Sequence, residues 1–176
     1  MFITGGQASG KSTKALEIAL AYPAPRVMIA TAQAYDEEMK EKIRRHQEER
    51  RERFITLEEP FDLPKAFEQA LTLRPTVVVI DCLTMWVSNL LLAEKTERIS
   101  ALTDRFIAAL DQAAPPTESL RVIMVSNEVG FGVIPANALS RAYIVLLGSV
   151  NKAIAKACDQ VLLMISGLPV IIKGGL

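Results

Sequence analysis

Apolar runs alternate with amphipathic segments along the 176-residue chain. The runs at 26–30, 76–81 and 120–126 are continuous and aliphatic, as in parallel strands that are buried on both faces. Between them, apolar residues recur every three or four positions, which is typical of helices that bury one side. Strands and helices therefore alternate without a repeat. We expect an α/β fold with a mostly parallel sheet, formed by residues 1–176 as a single domain.

The remaining elements follow from the same patterns. Short strands are predicted at 2–4 and 54–57, helices at 13–22, 62–73, 82–93, 97–113 and 136–158, and a terminal hairpin at 160–165 and 168–173. The last strand of that hairpin would run antiparallel at the end of the sheet. The helix at 82–93 carries so many apolar residues that we expect part of its surface to lie in an oligomer interface.

A very polar segment at 36–53 has acids and bases spaced for ion pairs along a helix, which usually indicates a solvated face. A narrow stripe of Met39, Ile43, His46 and Arg50 nevertheless falls on one side of that helix. The only histidine of the chain therefore shares a side with apolar residues. A lone histidine is more often structural, but a neutral imidazole is also a competent nucleophile toward phosphorus, so both interpretations stay open.

The most specific motif is the run at 5–12, which matches the phosphate-binding pattern G-x-x-x-x-G-K-[ST] between a short strand and a helix. Its glycines let backbone N–H groups turn toward phosphate oxygens, while a lysine offsets negative charge and a hydroxyl can bind Mg²⁺. The helix N-terminus that follows also favours anions. We therefore expect a nucleoside triphosphate to be bound by Gly5, Gly6, Gln7, Ala8, Ser9, Gly10, Lys11 and Ser12.

Polar residues follow the predicted strands at the edge where ligands of open α/β sheets bind. Asp81 ends a buried strand, as does the carboxylate that holds Mg²⁺ in other phosphate-loop proteins; the alternative is a residue that only terminates the strand. Thr31 and Gln33 follow another strand, and they either contact the nucleotide or cap the next helix. The glycine-containing loop at 127–135 leaves a third strand at the same edge.

Composition narrows the functional classes. Formal net charge is zero, so nothing favours nucleic acid or an anionic membrane as a partner. Cys82 and Cys158 are distant and lie in apolar or helical surroundings, which indicates reduced thiols. No apolar run reaches the roughly 18 residues that span a bilayer, and no signal segment is evident, so a soluble cytoplasmic protein is expected. Residues 151–154 are not a guanine-binding motif, because Ile154 stands where an aspartate would be needed.

Taken together, these motifs resemble the bifunctional cobinamide kinase/cobinamide-phosphate guanylyltransferase family of cobalamin biosynthesis. The resemblance covers nearly the whole chain and rests on blocks in a fixed order: 4–12, 30–33, 36–46 with Arg50, 81–84 with 88–91, 127–130 with Gly132 and Pro135, and 166–169 with Lys173. It implies a RecA-like P-loop NTPase fold with helices on both faces of the sheet, assembled as a homotrimer.

The resemblance also implies two reactions. A nucleoside triphosphate, ATP or GTP, phosphorylates adenosylcobinamide, and GTP then transfers GMP to adenosylcobinamide phosphate with release of pyrophosphate. The second reaction passes through a guanylylated histidine, which falls on His46 here, with Lys11 as the second catalytic residue. Outside the phosphate loop, the implied nucleotide contacts are Thr31, Ala32, Gln33, Gln47, Glu48, Glu49, Arg50, Glu58 and Asp81, with Ser12 and Asp81 holding Mg²⁺.

One helix departs from the family pattern. Ile144 and Val145 stand where the family typically has charged residues. Two alternatives to the bifunctional enzyme therefore remain at this point: a guanylyltransferase that has lost the kinase step, and a nucleotide-binding regulator without turnover.

Overall fold

The computed structural model describes residues 1–34, 37, 41, 44, 53–113 and 120–175. Its described residues form a seven-stranded sheet in the order β3-β2-β4-β5-β1-β6-β7. All neighbouring strands are parallel except β6 and β7, which pair antiparallel at one edge, as predicted. The strands are Phe2–Gly5 (β1), Arg26–Ala30 (β2), Ile55–Glu58 (β3), Val77–Asp81 (β4), Arg121–Val125 (β5), Val161–Ile165 (β6) and Leu168–Lys173 (β7).

Five helices lie in the described part of the chain: Lys11–Leu20 (α1), Leu63–Thr72 (α2), Leu83–Leu92 (α3), Arg98–Ala113 (α4) and Ala138–Ala157 (α5). Helix α1 begins two residues earlier than its apolar spacing predicted, because the phosphate-loop motif itself supplies the first turn. Helix α2 begins as predicted after Asp62, whose carboxylate accepts a hydrogen bond of 3.2 Å from the backbone N–H of Lys65. The other predicted ends differ by one or two residues, within the range over which helix ends fray.

Helices cover both faces of the sheet, and each face has its own core. Alternation along β1 sends Phe2 to one face and Ile3 to the other. Helix α1 packs against β1, β4 and β5 over the Ile3 face through Ala15 and Ala19. Helices α2 to α5 cover the Phe2 face, where Phe67 of α2 meets Phe106 of α4 edge to face with ring centres 5.5 Å apart. The carboxyl edge of the sheet is left between these two helical layers.

Helix α3 packs mainly against its own chain. Six of its ten residues are buried, namely Leu83, Thr84, Trp86, Val87, Asn89 and Leu90. The Trp86 indole N–H also donates a 2.7 Å hydrogen bond to the Phe61 carbonyl. These six residues are already buried by the layer of α2, α4 and α5. The expectation that part of the surface at 82–93 lies in an oligomer interface stays a prediction, and it can concern only the residues of this helix that remain exposed or half-buried. Leu92 at the helix end is about half exposed. Among the described residues, no helix has the length and apolar character required to cross a membrane.

The Phe67 ring is fully buried between α2 and α4, so we expect Phe67→Ala to lower the free energy of unfolding by about 3–5 kcal/mol through lost transfer energy and a cavity. Phe131→Ala is the matched control, since that ring is 81% exposed; its effect should stay within about 0.5 kcal/mol. Urea unfolding of both variants measures the difference. If both substitutions change the free energy of unfolding equally, the contact between α2 and α4 does not stabilise this core.

Candidate active site

The phosphate-loop motif connects β1 to α1 and requires glycine at two positions. Gly5 has φ of 150°, and a Cβ there would collide with the Met164 carbonyl oxygen and crowd the Ser9 hydroxyl. Gly10 has φ of 90°, a left-handed conformation at the N-cap of α1. The two glycines therefore let the backbone turn closely over the end of β1, which shapes the loop as the motif predicts.

Lys11 lies over this loop. Its Nζ donates a 2.5 Å hydrogen bond to the Gly6 carbonyl, and a second, 3.4 Å long, to the Ser9 hydroxyl. The residue is 7% exposed, and burial lowers the pKa of its ammonium group, against the opposing influence of Cys82 and Asp81. A cation held this close to the loop backbone is placed to meet an anion bound there.

Ser12 and Asp81 meet across the loop, as the Mg²⁺ hypothesis requires. The Ser12 hydroxyl donates to Asp81 Oδ1 at 3.3 Å. Neighbouring oxygen ligands in an octahedral Mg²⁺ shell lie about 2.9 Å apart, given metal–oxygen distances of about 2.0–2.1 Å. The two oxygens therefore fit adjacent positions around one ion. In the described residues there is no cluster of three or more His, Cys, Asp or Glu side chains, so phosphate oxygens and water would complete the shell.

Two other segments hold the loop from outside. The backbone N–H of Gly167, in the turn between β6 and β7, donates to the Ser9 carbonyl at 3.2 Å. On the other side, Asn127 donates to Gln7 Oε1 at 3.2 Å, and the N–H of Glu128 donates to the Gly5 carbonyl at 2.9 Å. The sequence predicted that 127–135 would lie at this edge, but the contacts of Asn127 and Glu128 with the phosphate loop were missed. The only signal was a polar run that follows a buried strand.

Thr31 is fully buried and connects β2 to the end of β4. Its hydroxyl donates to the Cys82 carbonyl at 2.7 Å and accepts from the Cys82 N–H at 3.0 Å. Asn89 of α3 supports it by donating to the Thr31 carbonyl at 2.7 Å. The Thr31 hydroxyl thus positions the strand exit that carries Asp81. Ala32 and Gln33 follow, half-buried, and the nucleotide contact expected of residues 31–33 remains a prediction.

Glu58 ends β3, the outermost strand on its side of the sheet, and its side chain is exposed. Four strand spacings separate β3 from β1, which places Glu58 about 19 Å along the edge from the phosphate loop. A contact with the triphosphate itself is therefore excluded, and only a more distant part of a bound nucleotide could reach it.

The predicted histidine site lies outside the described residues. It consists of His46 and the proposed nucleotide contacts Gln47, Glu48, Glu49 and Arg50. Nearby, Arg44 donates two hydrogen bonds to Glu41, 2.5 and 2.9 Å long, and both side chains are more than half exposed. This ion pair agrees with the solvated helix face predicted for 36–53.

Ile144 and Val145, which stand where the family typically has charged residues, lie on α5. Tyr143 donates from its hydroxyl to the Thr84 carbonyl at 3.2 Å, which links α5 to the end of β4. Ile144 is half-buried, and Val145 is 70% exposed. Val145 therefore faces outward and not toward the phosphate loop.

Burial and the neighbouring Asp81 carboxylate raise the pKa of the Cys82 thiol to about 11. Only about 0.1% of such a thiol is ionised at pH 8, against about a quarter for an ordinary cysteine with a pKa near 8.5. We expect iodoacetamide to label Cys82 roughly 100-fold more slowly in the native protein than in urea, with a native rate that rises steeply toward pH 11. Mass spectrometry of the Cys82 peptide measures this. Fast native labelling at pH 8 would contradict the raised pKa of this half-buried thiol.

Comparisons with known proteins agree with this architecture. An ATPase from the type III secretion system of pathogenic bacteria superposes with a TM-score of 0.59 at 14% identity, covering 97% of this chain and 56% of that one. This likeness concerns the fold alone. In sequence, the chain is 38% identical to a bifunctional adenosylcobalamin biosynthesis protein, CobP, of Pseudomonas aeruginosa, over 98% of this chain and 96% of the relative. It is 34% identical to the corresponding protein CobU of Salmonella typhimurium, over 98% and 99%.

A family model described as cobinamide kinase/cobinamide phosphate guanyltransferase matches residues 1–172. The match agrees with the resemblance drawn from the motifs. It covers nearly the whole chain, whereas the phosphate loop is a single short segment. The chain is therefore an enzyme of the P-loop class and belongs to the cobinamide kinase/cobinamide phosphate guanyltransferase family.

Proposed function

We propose that this chain phosphorylates adenosylcobinamide with a nucleoside triphosphate and then transfers GMP from GTP to adenosylcobinamide phosphate, releasing pyrophosphate. The observation that carries the proposal is the intact phosphate cradle, with Lys11 over the loop and Ser12 beside Asp81, in a chain that matches the family from residue 1 to 172. Both reactions need a triphosphate held by its β- and γ-phosphates.

In the kinase step, the loop N–H groups and Lys11 stabilise negative charge on the transferred group and on the departing diphosphate. The Lys11 ammonium group, which donates to the Gly6 carbonyl of the loop, would donate to a phosphate oxygen bound there. Burial lowers the pKa of Lys11, and the negative charge of a bound triphosphate would raise it.

In the guanylyl step, His46 attacks the α-phosphate of GTP, and the same cradle holds pyrophosphate as the leaving group. The corrinoid phosphate then takes GMP from the imidazole, and the imidazole–phosphorus bond breaks. Two displacements, each with a lower barrier, thus take the place of one direct displacement between two anions. Support for His46 comes from the family resemblance. Arg50, four residues further along the sequence, is proposed as the α-phosphate partner because its planar fork binds two oxygens.

Mg²⁺ is proposed at Ser12 and Asp81, whose oxygens lie 3.3 Å apart. When bound, the ion supplies charge neutralisation and a template for the phosphates. Residues 31–33, Gln47, Glu48, Glu49 and Glu58 are proposed to contact the rest of the nucleotide. In that arrangement the nucleotide lies along the carboxyl edge of the sheet, with phosphates at β1 and its base toward β2 and β3.

The assembly and setting of the enzyme are also proposals. A homotrimer in the cytoplasm is supported by the family resemblance, and the zero net charge agrees with a small-molecule enzyme that binds no nucleic acid. The two alternatives, a guanylyltransferase without kinase activity and a regulator without turnover, are not favoured, because the relatives named above are described as bifunctional.

We expect Lys11→Ala to lower both activities at least ~100-fold, because one cradle serves both cleavages. His46→Ala should abolish guanylylation while sparing phosphorylation. The measurements are acid-labile protein labelling from α-³²P-GTP and corrinoid labelling from γ-³²P-ATP or GTP. Lys14→Ala, at a half-buried lysine of α1 that pairs with Glu17, is the matched control and should retain both activities. Guanylylation at normal rates in Lys11→Ala would rule out a shared site.

Asp81→Asn keeps the shape of the side chain but removes the charge that faces Mg²⁺. The Mg²⁺ concentration for half-maximal activity should therefore rise roughly 10- to 100-fold in both reactions. Asp104→Asn, on the exposed side of α4, serves as control. If Asp81→Asn leaves the Mg²⁺ midpoint unchanged, Asp81 is only a strand-terminating residue.

A further inference from the structure

A cavity of about 340 Å³ lies beside the phosphate loop, between α5 and the strands β1, β6 and β7. Apolar side chains of these strands form most of its wall. Its polar groups come from Thr4, Glu128, Asn151 and Lys152, and Phe131 lies at its rim, 81% exposed. The nucleotide contacts proposed above do not include this cavity.

Hydrogen bonds connect the wall of this cavity to the phosphate loop. Thr4, which precedes the loop, donates to Glu128 Oε2 at 3.4 Å, and the Glu128 N–H donates to the Gly5 carbonyl at 2.9 Å. Strand β5, which carries Glu128 beyond its end, lies between the loop strand β1 and the Asp81 strand β4. A carboxylate at this position can accept a proton from a hydroxyl group that approaches the phosphates.

Asn151 gives the cavity wall a second specific group. The side chain is 5% exposed, and its amide nitrogen donates to the Asn127 carbonyl at 3.0 Å, which fixes its orientation. Its Oδ1 is buried and has no hydrogen-bond partner within the described part of the chain. Buried amide oxygens are almost always paired, so this one is suited to an N–H donor from a ligand.

We propose that this cavity binds the hydroxyalkyl amide arm of the corrinoid acceptor and that Glu128 is the general base of the kinase step. The inference rests on the proposed function. The arm of adenosylcobinamide that is phosphorylated is an aminopropanol amide. Its N–H can donate to Asn151, its short aliphatic segment can contact the apolar wall, and its hydroxyl can donate to Glu128. The macrocycle is too large for the cavity and lies outside, where exposed Phe131 offers an apolar contact.

In the reaction, the arm hydroxyl oxygen forms a bond to the γ-phosphorus while the bond from that phosphorus to the β–γ bridging oxygen breaks. The electron pair leaves with the nucleoside diphosphate, and the hydroxyl proton passes to the Glu128 carboxylate. Glu128 takes no part in the attack of His46 on the α-phosphate, so the two reactions of the enzyme should respond differently to changes here.

Gly148→Leu is the main test, because Gly148 lines the cavity from α5 and a Cβ there meets no atom within 4 Å. Leucine fills the cavity and favours the helix more than glycine does, so the protein should fold with an unchanged or higher Tm. The KM for adenosylcobinamide should rise at least ~10-fold, while protein guanylylation by GTP stays unchanged. Ala142→Leu, an exposed position of α5 outside this cavity, is the matched control.

Glu128→Gln tests the base. The kcat of phosphorylation should fall roughly 10²- to 10⁴-fold with little change in KM. Glu68→Gln, an exposed residue of α2, is the control. A matched pair of inhibitors tests Asn151: N-(2-hydroxypropyl)acetamide should inhibit the kinase at roughly 5- to 100-fold lower concentration than 2-hydroxypropyl acetate, which lacks the N–H.

Direct binding separates this inference from the proposed function. Equilibrium dialysis with adenosylcobinamide should show binding by the wild-type protein and its loss in Gly148→Leu, even if no corrinoid phosphate is formed and the kinase half of the proposed function fails. An unchanged KM or unchanged binding in Gly148→Leu overturns the assignment of the cavity. Equal inhibition by the amide and the ester overturns the role of Asn151, and a normal kcat in Glu128→Gln overturns that of the base.

Discussion

The close backbone approach at the end of β1 is the constraint on which the site depends. Gly5 leaves no space for a side chain against the Met164 carbonyl of β6, and the Gly167 N–H closes on the Ser9 carbonyl from the following turn. The loop is therefore packed against the β6–β7 hairpin. Preorganised amides of this kind stabilise charge without rearranging during the reaction, which is what a phosphate cradle requires.

The strand order determines which groups surround that cradle. Because β5 lies between β1 and β4, the residues that follow β5 emerge between the phosphate loop and Asp81. Thr84 accepts from the Asn127 N–H at 2.7 Å and shares a hydrogen bond of 3.4 Å with Ser126, which ties the ends of β4 and β5 together. The exits of β4 and β5, which carry Asp81 and Asn127, are thus held together by buried hydrogen bonds and not by surface loops.

Helix α5 covers the Phe2 face of the sheet, and its two sides have different surroundings. Its buried side, with Leu147, Val150 and Ile154, closes the core over the sheet. Its neighbouring side leaves a cavity at Gly148 and places Asn151 in its wall. The proposed pair of reactions at one triphosphate cradle needs separate approaches for an incoming alcohol and for the proposed histidine nucleophile. The cavity on the α5 side is the approach proposed for the alcohol, and it lies away from the edge that leads toward β2 and β3.

The sequence alone determined the α/β class, every strand of the sheet within two residues, the phosphate loop, the Ser12–Asp81 pair and the family. These features are local: they depend on periodicity, on glycine spacing and on which residue follows a strand. Only the tertiary structure decided that Thr31 positions the end of β4 and that most of α3 is buried by its own chain. It also decided that Glu128 and Asn151, which are 23 positions apart in sequence, line the same cavity. Such contacts join residues from different strands and helices, so they depend on strand order and helix placement, which periodicity does not encode.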